Sequence, residues 1–410
     1  MTAPGRHRIA ELPIGRRIAQ LRARRGLTQQ VFAGRIGKSH SWVDKVERGI
    51  RSLDRISVVH TVAAVLGVTP ETILAPTTGR PEPTTDDATA AVEHLRAALA
   101  RYDTPTPDQP TPSADDLYHR IQYAHTAYQH AHYPQLLRML PDLLTHTRHT
   151  TTSDAPDAAY LLTRVYRLTA HLLTKLGEPH LAWLAADRAI ATANGHPRHT
   201  AAAAIALAQT LRALHRPTLA VQAALTAVPL IDPATTDHPA PDDHALAGTL
   251  LIEAALAAAT GNDPATAHQL TDHADTLAAS ISHHQRRPDH GDTTMTVFGP
   301  TAVTLARAHL AAALGDPHQA ISRHQHATAG HGWRELPAEH RAAHLIDITH
   351  AYLDTGNPTA AARAIITADQ IAPAETRTRP VAHTVVATLL RAGPTPDLTR
   401  LATTIGLTPR

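Results

Sequence analysis

The sequence predicts an all-α chain in two parts: a small basic N-terminal domain of short helices, then a long array of stacked helical hairpins. Three observations carry this. Of the 410 residues, 43% are hydrophobic but only 3% aromatic, so a large core must be built from Ala, Leu, Val and Ile, which suits helices at close backbone approach. After about residue 114, Ala/Leu-rich segments alternate with short Gly- or Pro-marked breaks, and no convincing period-2 strand occurs. The charge is also unevenly divided. A formal sum of +2 comes from 38 Lys and Arg against 36 Asp and Glu, yet residues 1–60 hold 13 bases against Glu11, Asp44, Glu47 and Asp54, a net of +9 that leaves −7 on the other 350. One end of the chain seeks polyanions, and the rest does not.

Composition excludes several kinds of chemistry. The chain has no Cys, which removes disulfides, thiolate metal sites and cysteine nucleophiles. No apolar run reaches the ~18 residues of a membrane span, and the N-terminus lacks a signal-peptide core. A soluble, cytoplasmic protein is expected. No phosphate-binding Gly loop, nucleophile elbow or zinc-protease motif is present. Asp242 and Asp243 precede an apolar helix and read as helix-start charges rather than a catalytic pair. Neither an enzyme nor a cofactor is expected.

The first domain spans 14–74. Ile18 and Leu21 give its first helix an apolar stripe closed by Gly26. Thr28 caps a second helix carrying Val31, Phe32 and Ile36, ending at Gly37. Ser39 caps a third with Trp42, Val43 and Val46, closed by Gly49, and Asp54 to Leu66 supplies a supporting helix with Ile56, Val59, Val62, Ala63 and Leu66 inward. Two short helices joined by a tight Gly turn form a helix-turn-helix unit. Arg6, Arg8, Arg16 and Arg17 read as a solvated basic tail, with phosphate or minor-groove contact as the other reading.

The run Leu21-Arg22, Arg25-Gly26-Leu27-Thr28-Gln29-Gln30, Phe32-Ala33, Ile36-Gly37-Lys38-Ser39, Val43, Val46-Glu47-Arg48-Gly49 and Ala64-Val65-Leu66-Gly67-Val68 resembles the Cro/C1-type helix-turn-helix of the xenobiotic-response-element family. The resemblance covers about 60 residues. It implies that the helix from Ser39 to Arg48 enters the major groove of double-stranded DNA. His40, Ser41 and Lys45 would reach base edges. Gln29, Ser39 and Arg48 would hold phosphates, Thr28, Lys38 and Arg51 would lie at the same interface, and Arg22 with Glu47 would form a buried pair. Trp42 stands at the interface as well, either along the sugar–phosphate wall or a thymine methyl, or as a core anchor of the recognition helix. The loop Gly49-Ile50-Arg51-Ser52-Leu53 lacks the Pro often found there, which leaves the contact of Arg51 open.

Residues 75–113 read as a Pro/Thr-rich linker with one helix from Asp87 to Tyr102, and residues 114–410 as the array. Five times a Pro is followed by Ala three and ten residues later: Pro179, Ala182, Ala189; Pro217, Ala220, Ala227; Pro264, Ala267, Ala274; Pro317, Ala320, Ala327; Pro358, Ala361, Ala368. Gly177, Gly261, Gly315 and Gly356 stand shortly before four of them, and His215 takes that slot once. Gly ends one helix, Pro starts the next, and the small residues admit a neighbour. The intervals of 38, 47, 53 and 41 residues exceed the ~34 of a regular tetratricopeptide repeat. The units therefore resemble such repeats with longer helices, and Pro134 with Leu137 and Leu144 marks a degenerate earlier copy. Arrays of this kind form a superhelix whose concave face binds peptides or small ligands.

The segments 172–178 and 181–189, and Phe298-Gly299-Pro300-Thr301 followed by Val303, are similar to actinobacterial regulators that couple this helix-turn-helix to a tetratricopeptide-like domain. Ala302 stands where those commonly carry Asn. The resemblance implies a sequence-specific transcriptional regulator, a homodimer on a pseudo-palindromic operator, whose repeats hold a peptide or small-molecule effector; the alternative is a repeat domain that serves only as an interaction or dimerisation scaffold. Arg286, Arg287, Phe298 and Thr301 are the candidate effector residues, because they interrupt the widest repeat interval and end in a helix start fit to receive a carboxylate. The bland reading of that segment is a loop plugging the solenoid. Trp183 and Trp333 are expected in the inter-helix core. The 31 His include pairs such as His340 and His344, His324 and His326, His146 and His149, and His283 and His284, but His is inflated throughout, so solvated helix faces are expected rather than metal sites.

Overall fold

The computed structural model describes residues 14–48, 56–68, 73, 85–101, 112–151, 158–231, 241–284 and 297–407. Among them every regular element is helical, and they fall into two compact units: residues up to Glu93 with Asp115–Ala124, and His94–Ala114 with His125–Arg410. No helix of the described residues is long and apolar enough to cross a membrane.

The first unit opens with α1 (Ile14–Arg24), α2 (Gln29–Arg35), α3 (His40–Glu47) and α4 (Ile56–Leu66). Thr28 and Ser39 accept hydrogen bonds from the backbone N–H groups of Val31 and Trp42, each 3.2 Å long, so both short helices start at a side-chain cap. Ile18, Leu21, Phe32, Ile36, Val43, Val46, Val59, Val62 and Leu66 form one core, with Ile73 joining it from outside the four helices. Val31 is 47% exposed although its neighbour Phe32 is buried, being rotated about 100° around α2 from it. Arg17 departs from expectation. It is fully buried rather than part of a solvated tail, and its Nη1 donates to the carbonyl of Ile73 at 2.7 Å. Burial lowers its pKa from the ordinary arginine value. Arg6, Arg8, Arg51, Asp54 and the loop 49–53 lie outside the described residues.

Helices α5 (Thr85–Ala100) and α6 (Ala114–Gln129) are each divided between the two units. In the second unit follow α7 (Tyr133–Thr151), α8 (Ala158–Lys175), α9 (Pro179–Thr192), α10 (Pro197–Ala213), α11 (Pro217–Ala227), α12 (Pro241–Thr260), α13 (Pro264–His284), α14 (Pro300–Ala313), α15 (Pro317–Ala329), the short α16 (Gly332–Glu335), α17 (Ala338–Asp354), α18 (Pro358–Ile371), α19 (Pro373–Thr378), α20 (Pro380–Ala392) and α21 (Pro396–Thr404). The five repeat prolines are the first residues of α9, α11, α13, α15 and α18. All ten repeat alanines are buried, at 0–5% exposure.

One turn is used six times. The residue two before the helix start is left-handed: Ala131, Gly177, His215, Asn262, Gly315 and Gly356, with φ of 55, 78, 56, 60, 84 and 70°. The next N–H then reaches back five residues, for example Glu178 to Leu173 at 2.9 Å, Asp316 to Ala311 at 2.8 Å and Asn357 to Tyr352 at 2.8 Å, which satisfies carbonyls the ending helix leaves over. In the fourth of these turns Asn262, not Gly261, holds the left-handed position, because Gly261 still follows the turn of α12; Asn tolerates this conformation better than most side chains. Arg148 and Arg188 cap the end of α5 in the same spirit, donating to the carbonyls of Ala98 and Leu99. The array curls until the turn after α8 meets the start of α20: a Cβ on Gly177 would stand 2.8 Å from Pro380 Cγ.

The slot makes a stability prediction. Replacing Gly315 by Ala should cost about 1–2 kcal/mol, and replacing His215 by Gly should recover a similar amount. Thermal denaturation of the full chain reads both, with the two midpoints moving in opposite directions.

Candidate nucleic-acid interface and interior polar cluster

The third helix is held from behind and left open in front. Val43 and Val46 are buried in the core, while Ser39, His40, Ser41, Lys45 and Arg48 are exposed on the other side, with Thr28 exposed at the start of α2. Gln29, Lys38 and Trp42 are half-buried. Trp42 packs against the core, and Lys38 Nζ lies 5.9 Å from its ring centroid, so the indole anchors α3 while keeping a polar neighbour. Arg48 Nη1 pairs with Asp44 at 3.2 Å on the surface.

Behind α3, Glu47 ties the unit together. Arg22 Nε and Nη2 donate to its two carboxylate oxygens at 2.6 and 3.0 Å, and Arg22 Nη1 donates to the Leu27 carbonyl at 2.6 Å. The hydrogen bond to Glu47 raises the Arg22 pKa, against the effect of burial. Gln29 Nε2 also donates to Glu47, at 2.7 Å. One N–H of that amide is thus committed inward and the other remains for an outside acceptor. This fork joins α1, the start of α2 and the end of α3, fixing the angle at which α3 is presented.

Of the candidate effector residues, Phe298 and Thr301 are described. Arg286 and Arg287 lie outside the described residues, as do Asp289, His290 and Met295. Phe298 is half-buried against Leu251, Ile252 and Val303 and fills a notch over Gly248, where a Cβ would stand 1.9 Å from Phe298 Cζ. Thr301 sits in the first turn of α14 beside Gly332. Trp333 packs with Leu305, Ala327 and Leu336 as expected. Trp183 does not: it is 50% exposed, because it falls on the side of α9 opposite Ala182, Ala185 and Ala189. Asp243, in the first turn of α12, is buried and accepts from Arg198 Nη2 at 2.9 Å, a cross-hairpin pair rather than a bare helix-start charge.

What sequence reasoning missed lies inside the second unit. Lys175, at the end of α8, donates to Glu375 Oε1 at 2.8 Å and also pairs with Glu339. Glu375 further accepts from Arg379 Nη1 at 2.8 Å and from the Tyr133 hydroxyl. Burial opposes the Lys175 charge, but the carboxylates of Glu339 and Glu375 outweigh it and hold its pKa above the ordinary value. Burial likewise pushes the Glu375 carboxyl up, and Lys175 and Arg379 bring it below the usual range. Nearby, His171 pairs with Gln209 at 2.8 Å, and Gln209 Nε2 and Arg212 Nη2 donate to Glu253 at 2.7 and 3.2 Å. The one sequence signal was Lys175 itself, one of three lysines with Lys38 and Lys45.

The histidines expected on solvated faces are partly internal. His324 Nδ1 and His344 Nε2 are 2.9 Å apart, His344 Nδ1 and His309 Nε2 3.3 Å, and His324 and His344 are buried. The side chains of His283 and His284 lie outside the described residues. Among the described residues no group of three or more His, Cys, Asp or Glu is placed to hold a metal ion.

Burial pushes His324 down to about 4 and His171 to about 3, and lowers His309, His340 and His344 as well. These groups stay neutral in the fold while the unfolded chain takes up protons below its value of 6.5. Stability is therefore intact above pH ~6.5 and lost as pH falls toward ~4, at up to about 1.4 kcal/mol per pH unit for each such histidine. Denaturant unfolding of the full chain between pH 8 and 4 checks this, and His324→Asn should make the fall shallower.

Residues 13–75 match the family model of a helix-turn-helix domain. No curated protein matches the chain. Among solved structures, it is similar to PlcR of Bacillus thuringiensis, whose structure was determined in complex with the peptide PapR7 and DNA, at 14% identity and a TM-score of 0.35, over 66% of this chain and 96% of that one.

Proposed function

We propose that this protein is a sequence-specific DNA-binding transcriptional regulator of the Cro/C1 type, acting by binding rather than catalysis, with residues 14–74 as the DNA-binding domain, 75–113 as the connection and 114–410 as a sensor. The observation that carries this is the presentation of α3, capped at Ser39, pinned by Val43, Val46 and the Arg22–Glu47 fork, with His40, Ser41 and Lys45 exposed on its outer side. Lys45 suits the O6 and N7 acceptors of guanine, and His40 and Ser41 can serve several bases. Thr28, Gln29, Lys38, Ser39, Arg48 and Arg51 are assigned to the DNA backbone, as is the edge of Trp42 that faces away from the core. Two copies would set their α3 helices in successive major grooves about 34 Å apart on a pseudo-palindromic operator.

The repeat unit takes up an effector within its curl, where polar side chains from distant hairpins converge. The effector alters operator affinity only to the extent that it prefers one arrangement of the two heads. The exposed Trp183 favours a second reading, a repeat domain that docks another protein.

Genome-wide footprinting followed by binding assays tests the first reading. His40→Ala and Lys45→Ala should each relax base choice at one operator position by roughly 1–3 kcal/mol, whereas Arg48→Ala should weaken all sequences alike and reduce the salt slope by about 1. Unchanged discrimination in both the His40 and Lys45 variants refutes the assignment.

A further inference from the structure

Three histidines of the second unit meet nitrogen to nitrogen and end on a carboxylate. His324 Nδ1 of α15 lies 2.9 Å from His344 Nε2 of α17, and His344 Nδ1 lies 3.3 Å from His309 Nε2 of α14. The same His309 nitrogen faces Asp347 of α17 at 3.5 Å. His324 and His344 are buried, and Tyr352 and Trp333 stand edge-on to their rings, with centroids 6.0 and 5.8 Å apart. Both nitrogens of His344 are thus engaged, and its ring turns over only by breaking both contacts.

A neutral imidazole carries one hydrogen, so each nitrogen–nitrogen contact holds one hydrogen and has one direction. Asp347 sets that direction. A carboxylate repels a nitrogen lone pair and attracts an N–H, so His309 carries its hydrogen on Nε2. His344 Nδ1 then accepts, which leaves the hydrogen of His344 on Nε2, where it is donated to His324 Nδ1. His324 in turn keeps its own on Nε2. This order also decides where an added proton can go. On His344 or His324 it would sit on Nδ1 and point at a hydrogen already held by the neighbouring ring. On His309 it sits on Nδ1, outside both contacts, and of the three side chains this is the partly accessible one, at 29%.

The surrounding charges favour the same ring. Asp347 opposes the effect of burial on His309, with Arg212, His340 and Arg379 acting the other way, whereas burial and other histidines alone act on His324 and His344. Other carboxylates on the helices packed against α14 are engaged elsewhere: Asp272 and Asp275 of α13 with Arg307, Glu253 of α12 with Arg212, Glu335 of α16 with His331, and Glu339 of α17 with Lys175.

We propose that His324, His344, His309 and Asp347 form a one-proton relay by which the repeat unit registers acid: Asp347 orders the hydrogens of the three rings, and acidification adds a single proton, at His309 Nδ1. The imidazolium turns the 3.5 Å contact into an ion pair between α14 and α17, while Arg379 stays 3.4 Å from the other oxygen of Asp347. Once charged, His309 opposes a second proton on His324 or His344. The relay gives the array an input besides an effector, and it stands whether or not the first unit binds DNA.

Nuclear magnetic resonance of the full chain with isotope-labelled histidine tests it, because long-range nitrogen–proton correlations separate rings protonated on Nδ1, on Nε2 or on both. His344 and His324 are assigned through their contacts with Trp333 and Tyr352, and His309 by its loss in His309→Gln. At pH 8 all three should carry hydrogen on Nε2. As the pH falls toward 5, His309 should charge in one step while His324 and His344 stay neutral. Asp347→Asn should weaken the proton affinity of His309 about tenfold, and Asp347→Glu should keep most of it. The pattern in the natural chain is decisive without any variant at 324, 344 or 347. Hydrogen on Nδ1 of His344, charging of His324 or His344 before His309, or a His309 still neutral at pH 5 overturns the proposal, as does a His309 step that Asp347→Asn leaves unmoved.

Discussion

The ammonium group of Lys175 is the point on which the repeat unit turns. An ammonium taken out of water is tolerable only when paired, and its partners, Glu339 and Glu375, come from α17 and α19, the latter 200 residues further along the chain. Stacked hairpins by themselves contact only their neighbours. The buried alanines and the repeated turn therefore set how each hairpin lies on the next, but say little about which distant hairpins meet. The Lys175 cluster supplies that information. With Tyr133 and Arg379 converging on Glu375 and Gly177 set against Pro380, it holds the early hairpins to the late ones.

The first unit solves a smaller version of the same problem. Arg22 and Glu47 lie 25 residues apart and bind through two hydrogen bonds, with Gln29 as a third party. In both units a buried acid gathers donors from separate helices, Glu47 in one and Glu375 in the other. The angle at which α3 is presented is thus set by groups behind it.

Much of this was legible in the sequence because it is local. Gly or Asn before a Pro helix start, with Ala three and ten residues on, encodes a turn and a packing surface within one hairpin, and the helix-turn-helix run encodes caps and a core within some 60 residues. The differences are local too, and small: the left-handed position falls at Asn262 rather than Gly261, and Arg17 faces inward. The interior cluster was illegible for a different reason. Nothing in the spacing of Lys175, Glu339 and Glu375 marks them as partners, since their meeting depends on the summed rotation of several hairpins. Composition worked against it as well, the abundance of His hiding the buried His324–His344 pair among many surface residues. Trp183 shows the converse, a large apolar side chain whose exposure follows from the side of α9 that the alanines leave over.

The central claim is that Lys175 and Glu375 act as one unit across the array. A double-mutant cycle with Lys175→Met and Glu375→Gln, read by denaturant unfolding of the full chain, tests it most directly. Each single change should cost about 3–5 kcal/mol, because it strands a buried partner, and the double variant should fall short of the sum by about 1–3 kcal/mol. Additive losses, or a Lys175 variant as stable as the natural chain, would contradict the account.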